Sequence, residues 1–195
     1  MIIEEVEEYC KRILVCSKCG QMPFHNLQHT LEVVENVLEI GQAMGCSPEE
    51  LEPVIIAAWF HDTGFCELYY GHELWSGLSA KKFLDCKNYS PSKSEIVVDC
   101  IEATKMPQSP KNTYSEILCD ADVLHISSEN FFYRKLLLRR EWDLFLGKKY
   151  TDKEWHELNL AFLLKQNFFT SYGKEKLQEG HYANEEKVRT ILSFY

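Results

Sequence analysis

The stretch from residue 16 to residue 29 reads CSKCGQMPFHNLQH and sets two metal-type patterns side by side, a Cys-x-x-Cys-Gly knuckle and a His pair. His25 and His29 are four residues apart, so on one continuous helix their imidazoles share a face. Alone, such a pair suits a packed or solvated helix as well as an ion. AAWFHDTGF is sharper: His61 and Asp62 close the apolar run IIAAWF. A helix that apolar is buried on most sides, and two ionisable side chains at its end are costly unless something satisfies them. A divalent cation does so through an imidazole nitrogen and a carboxylate oxygen; a helix cap or a salt bridge also would. The third piece, ILCDADVLHI, interrupts Ile117, Leu118, Val123, Leu124 and Ile126 with Asp120 and Asp122. Residues two apart do not share a helix face, so at most one of these carboxylates points at a common site. A lone buried carboxylate becomes neutral unless it is paired or metal-bound.

The knuckle is weaker. A structural zinc site takes four ligands, commonly two such cysteine pairs, and no second Cys-x-x-Cys exists. Cys10, Cys46 or His25 would have to complete it. A redox Cys-x-x-Cys opens a helix after a strand, a context this chain lacks. The expectation is therefore that the His pair belongs to the working centre, while Cys16 and Cys19 stay reduced and unliganded.

These residues need elements to hold them, and the chain reads as helices throughout. Ile2, Ile3, Val6, Tyr9, Ile13 and Leu14 form a helical stripe. Leu31, Val34, Leu38 and Ala43 mark a second helix over 27–44, and Pro23 places its start near His25 or just after it. SPEE at 47–50 is a capping box with Ser47 as N-cap, opening a helix into the His-Asp pair. Further helices are expected at 72–86, 92–104, 113–126, 128–146, 152–168 and 182–193. SKSE at 92–95 and TDKE at 151–154 supply the same start signal. Pro107 and Pro110 make an interior loop. Strand alternation is nearly absent and no repeat or second composition regime is visible, so the class is an all-α bundle.

The chain has 195 residues, enough for one domain with a real core. Its net charge is −9, and its one compact basic cluster, Arg134, Lys135, Arg139 and Arg140, alternates with leucines as a solvated helix face does. No nucleic-acid polymer is expected as a partner, since phosphate backbones need clustered bases. No apolar run is long enough to span a membrane. MIIEEVEEYCKR carries acids where a secretory signal carries bases. The expected location is cytoplasmic.

Taken together, His29, His61-Asp62 and the Ala121-Asp122-Val123-Leu124 run resemble the ligand pattern of the HD superfamily of metal-dependent phosphohydrolases. The resemblance spans about residues 25–126. It implies an HD-domain helical bundle over 1–195, with a metal-binding core at 24–126 and C-terminal helices at 128–193. It implies His29, His61, Asp62 and Asp122 as metal ligands, with Asp122 preferred to Asp120. FHNLQHTLEV is similar to the Tyr-His-Asn-x-x-His-Ala-x-x-Val segment of cyclic nucleotide phosphodiesterases, with Phe24 for Tyr and Thr30 for Ala. By that likeness His25 is the acid that protonates the leaving oxygen, and Asp62 takes a catalytic as well as a ligand role. The chain is too short for the mammalian catalytic domain, and TGFCELYY departs from that family's continuation. Its length and GHELWSGLSAKKF look more like small bacterial HD hydrolases.

In two-metal HD proteins a His or Glu from that region serves the second metal or its water, which makes His72 a further ligand candidate and Glu73 a substrate-side candidate. Their alternative is an exposed helix start in which Glu73 complements the dipole. Lys105 either neutralises a substrate phosphate or ends a helix in solvent. Aromatic residues around 65–70 and 131–133 are the expected pocket lining. The implied cofactor is one or two divalent ions among Mn, Mg, Fe, Co, Ni and Zn. The implied substrate is a phosphate mono- or diester of a nucleotide or other small molecule. The alternative is a nucleotide-binding sensor module without turnover.

Overall fold

The computed structural model describes residues 1–195 and contains nine α-helices and no strand. No helix is long and apolar enough to cross a membrane. The chain divides into two compact units, Met1–Asp122 and Val123–Tyr195.

The first unit is built round α3 (Pro48–Phe60). Ser47 opens it as expected: its Oγ accepts from Glu50 N, and Glu50 Oε2 accepts from Ser47 N at 2.8 Å. Pro53 through Phe60 are all buried, so the helix has no solvent face along its second half. Each fully buried large apolar side chain there contributes roughly 1.5–3 kcal/mol. Helices α1 (Ile2–Cys16), α2 (Leu27–Ala43), α4 (His72–Cys86) and α5 (Pro91–Ala103) pack against it. α6 (Thr113–Val123) lies against α2, where Asn36 Nδ2 donates to Ala121 O at 2.9 Å.

The second unit contains α7 (Phe131–Leu146), α8 (Asp152–Lys165) and α9 (Gln178–Leu192). Its core is Val123, Ile126, Phe131, Leu163, Phe168 and Val188, with Phe132 packed against it. Phe131 is fully buried in that core, so it lines no open pocket. TDKE forms its capping box, with Thr151 accepting from Glu154 N.

α2 starts at Leu27 as expected, because the Asn26 side chain caps it, accepting from Gln28 N and His29 N. His25 therefore precedes the helix and does not share a face with His29. Several other features differ from the expected ones. SKSE forms no box: Pro91 takes the first helical position and places Ser92 inside α5. α6 ends at Val123 and tightens into a 3-10 turn at Leu124–Ser127, short of residue 126 as a helix. α8 stops at Lys165, and α9 is preceded by a π turn at Gly173–Leu177.

Candidate metal centre

Three elements of the first unit bring the ionisable residues together. α2 carries His29 in its first turn, buried beneath Phe24 with ring centroids 5.1 Å apart. α3 ends at Phe60, and His61 and Asp62 follow directly. Continuous apolar burial of α3 has carried both side chains into the interior, at 1% and 4% exposure. α6 delivers Asp122 one residue from its end; Asp120, fully buried, is not part of the cluster.

The four donors converge. His29 Nε2 lies 3.2 Å from Asp122 Oδ1 and 3.5 Å from Asp62 Oδ2. His61 Nε2 lies 3.2 Å from Asp62 Oδ2 and 3.7 Å from Asp122 Oδ1. Two donors each about 2.1 Å from one ion stand about 3.0–3.4 Å apart in octahedral or tetrahedral arrangements, so these spacings fit a shared cation. His61 Nδ1–H donates to Ala58 O at 2.7 Å, which fixes the ring so that Nε2 is the nitrogen facing the cluster. His61 Nε2 and Asp62 Oδ2 are both buried and neither makes a hydrogen bond. Buried polar atoms of this kind are costly unless something satisfies them. A divalent ion fits the place where both point.

The electrostatics agree. Burial works against charge on His61, but the Asp62 and Asp122 carboxylates outweigh it and raise its pKa to about 9. At His29 burial prevails and lowers the pKa, leaving that ring neutral and able to act as a ligand. Burial opposes ionisation of Asp62, yet the His61 charge beside it holds the carboxyl well below the usual range. Two carboxylates and two imidazoles thus hold a site that attracts positive charge.

The turn at Thr63–Cys66 shapes the next layer. A Cβ on Gly64 would meet His72 O at 2.0 Å, so only glycine lets this turn press against the start of α4. Ser76 Oγ donates to His61 O at 2.6 Å and accepts from Gly64 N at 2.9 Å, tying α4 to the cluster. His72 opens α4 after Gly71, whose φ of 79° is left-handed. Its Nδ1–H donates to Tyr69 O at 3.2 Å, and its Nε2 faces Asp62 Oδ1 at 3.5 Å. Phe65 lies between two imidazoles, stacked on His72 at 3.6 Å and on His25 at 4.2 Å.

No protein-family model matches this sequence, and no curated protein does. Two solved structures resemble it. A predicted HD superfamily hydrolase from an uncultured Thermotogales bacterium matches with TM-score 0.67 and 20% identity, covering 97% of this chain and 91% of that one. Bacillus subtilis YpgQ, solved in complex with ADP, matches with TM-score 0.68 and 16% identity, covering 99% of this chain and 94% of that one. The fold is that of the HD superfamily.

On this HD fold, six of the candidate residues named from the sequence stand in one neighbourhood. His29, His61, Asp62 and Asp122 share the cluster, His72 adjoins it through Asp62, and His25 adjoins it through Phe65 and a ring separation of 5.9 Å from His29. Glu73 is buried beside His72, its Oε2 lying 3.8 Å from His72 Nδ1 without a hydrogen bond. Lys105 is exposed after α5 and forms no ion pair with them. Cys16 and Cys19 belong to no metal-type cluster. Cys19 instead meets Cys66. Sequence reading placed Phe65 only among the pocket-lining aromatics and passed over Ser76 and Cys66. A glycine after the His-Asp pair hinted at close packing there, but nothing in sequence named its partners.

Proposed function

We propose that this protein is a metal-dependent phosphohydrolase. The observation that carries the reading is the convergence of His29, His61, Asp62 and Asp122, with two buried donor atoms left unsatisfied by the chain. A divalent ion held there would lower the pKa of a water and polarise a phosphoryl oxygen. The mixed nitrogen and oxygen set suits Mn, Fe, Co, Ni or Zn better than Ca.

The chain's own residues supply the rest. Ala58 O orients His61, and Ser76 braces the backbone on either side of Asp62. Asp62 presents its two oxygens in two directions, Oδ2 to His29 and His61 and Oδ1 to His72. That division suits one ion with His72 as an orienting partner, or a second ion on the His72 side. His25 stands in front of the cluster against Phe65 and donates a proton to the leaving oxygen, which without one departs as a poor alkoxide.

The substrate we assign is a phosphate mono- or diester of a small molecule, with nucleotides first. ADP bound by the structurally similar YpgQ supports that choice.

The test is hydrolysis of a chromogenic phosphate monoester, a diester and a panel of nucleotides by chelator-stripped protein, with and without added Mn²⁺. The reading predicts Mn²⁺-dependent release of product from at least one of them. Binding of Mn²⁺ and nucleotide with no cleavage of any would assign the sensor-module role instead.

A further inference from the structure

Two turns flank the metal-type centre in sequence, Lys18–Gln21 before His25 and Thr63–Cys66 after Asp62. They are fastened to each other by thiol chemistry. Cys19 and Cys66, with 46 residues between them in sequence, come together where the two turns meet, on either side of the Ser17 hydroxyl. Ser17 Oγ lies 2.9 Å from Cys66 Sγ and accepts from Cys19 N at 3.1 Å, and Lys18 Nζ donates to Glu67 O at 3.2 Å. Cys66 is partly exposed and Cys19 fully buried behind it. A reachable thiol backed by a second, shielded one is the arrangement of an oxidisable cysteine with its resolving partner.

We propose that Cys66 and Cys19 are a hydroperoxide-sensitive dithiol that closes to a disulfide beside the metal-type centre. In the first step the Cys66 thiolate attacks a hydroperoxide; the O–O bond breaks, an S–O bond forms, and the departing alkoxide or hydroxide takes up the proton that the Cys66 thiol released, leaving as alcohol or water. Sulfur is oxidised by two electrons and the peroxide reduced by two. In the second step Cys19 sulfur displaces hydroxide from the Cys66 sulfenic acid, and the Cys19 proton goes with it as water. A small dithiol reverses the reaction by exchange.

The local field supports the division of roles. The hydrogen bond from Cys19, helped by Ser17 and opposed by burial, lowers the Cys66 pKa to about 7, while the same contact pushes Cys19 up. Cys66 is thereby the attacking sulfur and Cys19 the proton-bearing one.

Closure has a consequence at the centre. An S–S bond is about 2.05 Å long, far shorter than the approach of two separate thiols, so the turns must draw together. The Thr63–Cys66 turn carries Phe65, which separates His25 from His72. Oxidation therefore disturbs the placement of both imidazoles. This last step rests on the hydrolase reading; the disulfide itself does not.

The test treats the Mn²⁺-loaded full chain with a small excess of hydrogen peroxide and maps the products by peptide mass spectrometry. The expected result is a Cys19–Cys66 linked peptide lighter by two hydrogens, reversed by dithiothreitol. Cys19→Ser should stop at a Cys66 sulfenic acid that a 1,3-diketone traps, and Cys66→Ser should yield neither product. Oxidation of Cys16 or Cys86 ahead of Cys66, or a link between other cysteines, would overturn the proposal. Where turnover is measurable, the disulfide form should be at least fivefold slower, with Cys19→Ser immune to that loss and unchanged in basal rate. A disulfide that forms with turnover unaltered would overturn its coupling to the centre.

Discussion

His61 Nε2 lies 3.2 Å from Asp62 Oδ2, and both atoms are buried without a hydrogen bond. Neighbours in sequence, they are turned inward together because α3 is apolar on every side up to Phe60. The chain has placed an acid and a base side by side as a buried ion pair that no hydrogen bond completes.

Removal of one member follows directly. Asp62→Ala should abolish Mn²⁺ binding and hydrolysis together. In the metal-free protein it should also cost about 3–5 kcal/mol, since it leaves the His61 charge buried and unpaired. Calorimetric Mn²⁺ titration and urea unfolding check the two parts. Asp62→Ala protein that binds Mn²⁺ like the parent would remove this carboxylate from the ligand set.

The pH dependence has opposite signs with and without metal. Folding raises the His61 pKa from 6.5 to about 9, so its contribution is complete below pH 6.5 and disappears as pH rises through 9. The size is on the order of 3 kcal/mol. Asp62 is depressed below 3.8, so its share is present above that pH and disappears as pH falls. The melting temperature of chelator-stripped protein should therefore decline between pH 6.5 and 9. Mn²⁺ must displace the His61 proton, so its apparent affinity should climb over the same range, by up to about tenfold per pH unit. Parallel pH trends for the two quantities would contradict this assignment.

His25 should separate chemistry from metal binding. It stacks on Phe65 and makes no part of the His29, His61 and Asp122 group or of the Asp62 ion pairs with the two imidazoles. His25→Ala should leave Mn²⁺ affinity within about twofold and lower kcat by about 10²–10⁴. Steady-state kinetics with an ester whose leaving group needs no proton should recover most of the loss. Unchanged turnover on a poor leaving group would remove His25 from the mechanism.

Gly64→Ala probes the brace. The added Cβ would meet His72 O at 2.0 Å and Ser76 N at 2.8 Å, both backbone atoms that cannot rotate away. The expected cost is about 3 kcal/mol. Thermal unfolding of this variant at the parent's melting temperature would mean that the turn and α4 yield more easily than their packing implies.

The helical class and the inward His-Asp pair were legible because both are written in local pattern. IIAAWF has no polar face, and SPEE carries its own cap. The start of α2 was legible as well, since the apolar spacing begins at Leu27, although the Asn26 side chain that does the capping carried no signal that singled it out. SKSE misled because Pro91 fixes the first helical position ahead of it. The contacts of Cys66 and Phe65 were out of reach for a different reason. Their partners, Cys19 for one and His25 and His72 for the other, are set by how two turns meet in space, and no spacing rule encodes that meeting.

The central claim is that four side chains hold a divalent ion, and isothermal titration of Mn²⁺ into chelator-stripped protein tests it most directly. The account predicts saturable binding by the parent and a loss of at least about 100-fold in affinity for His61→Ala and for Asp122→Ala, larger than the effect of removing an outer partner. Absence of Mn²⁺ binding by folded parent protein, or equal affinity in parent and both variants, would contradict it.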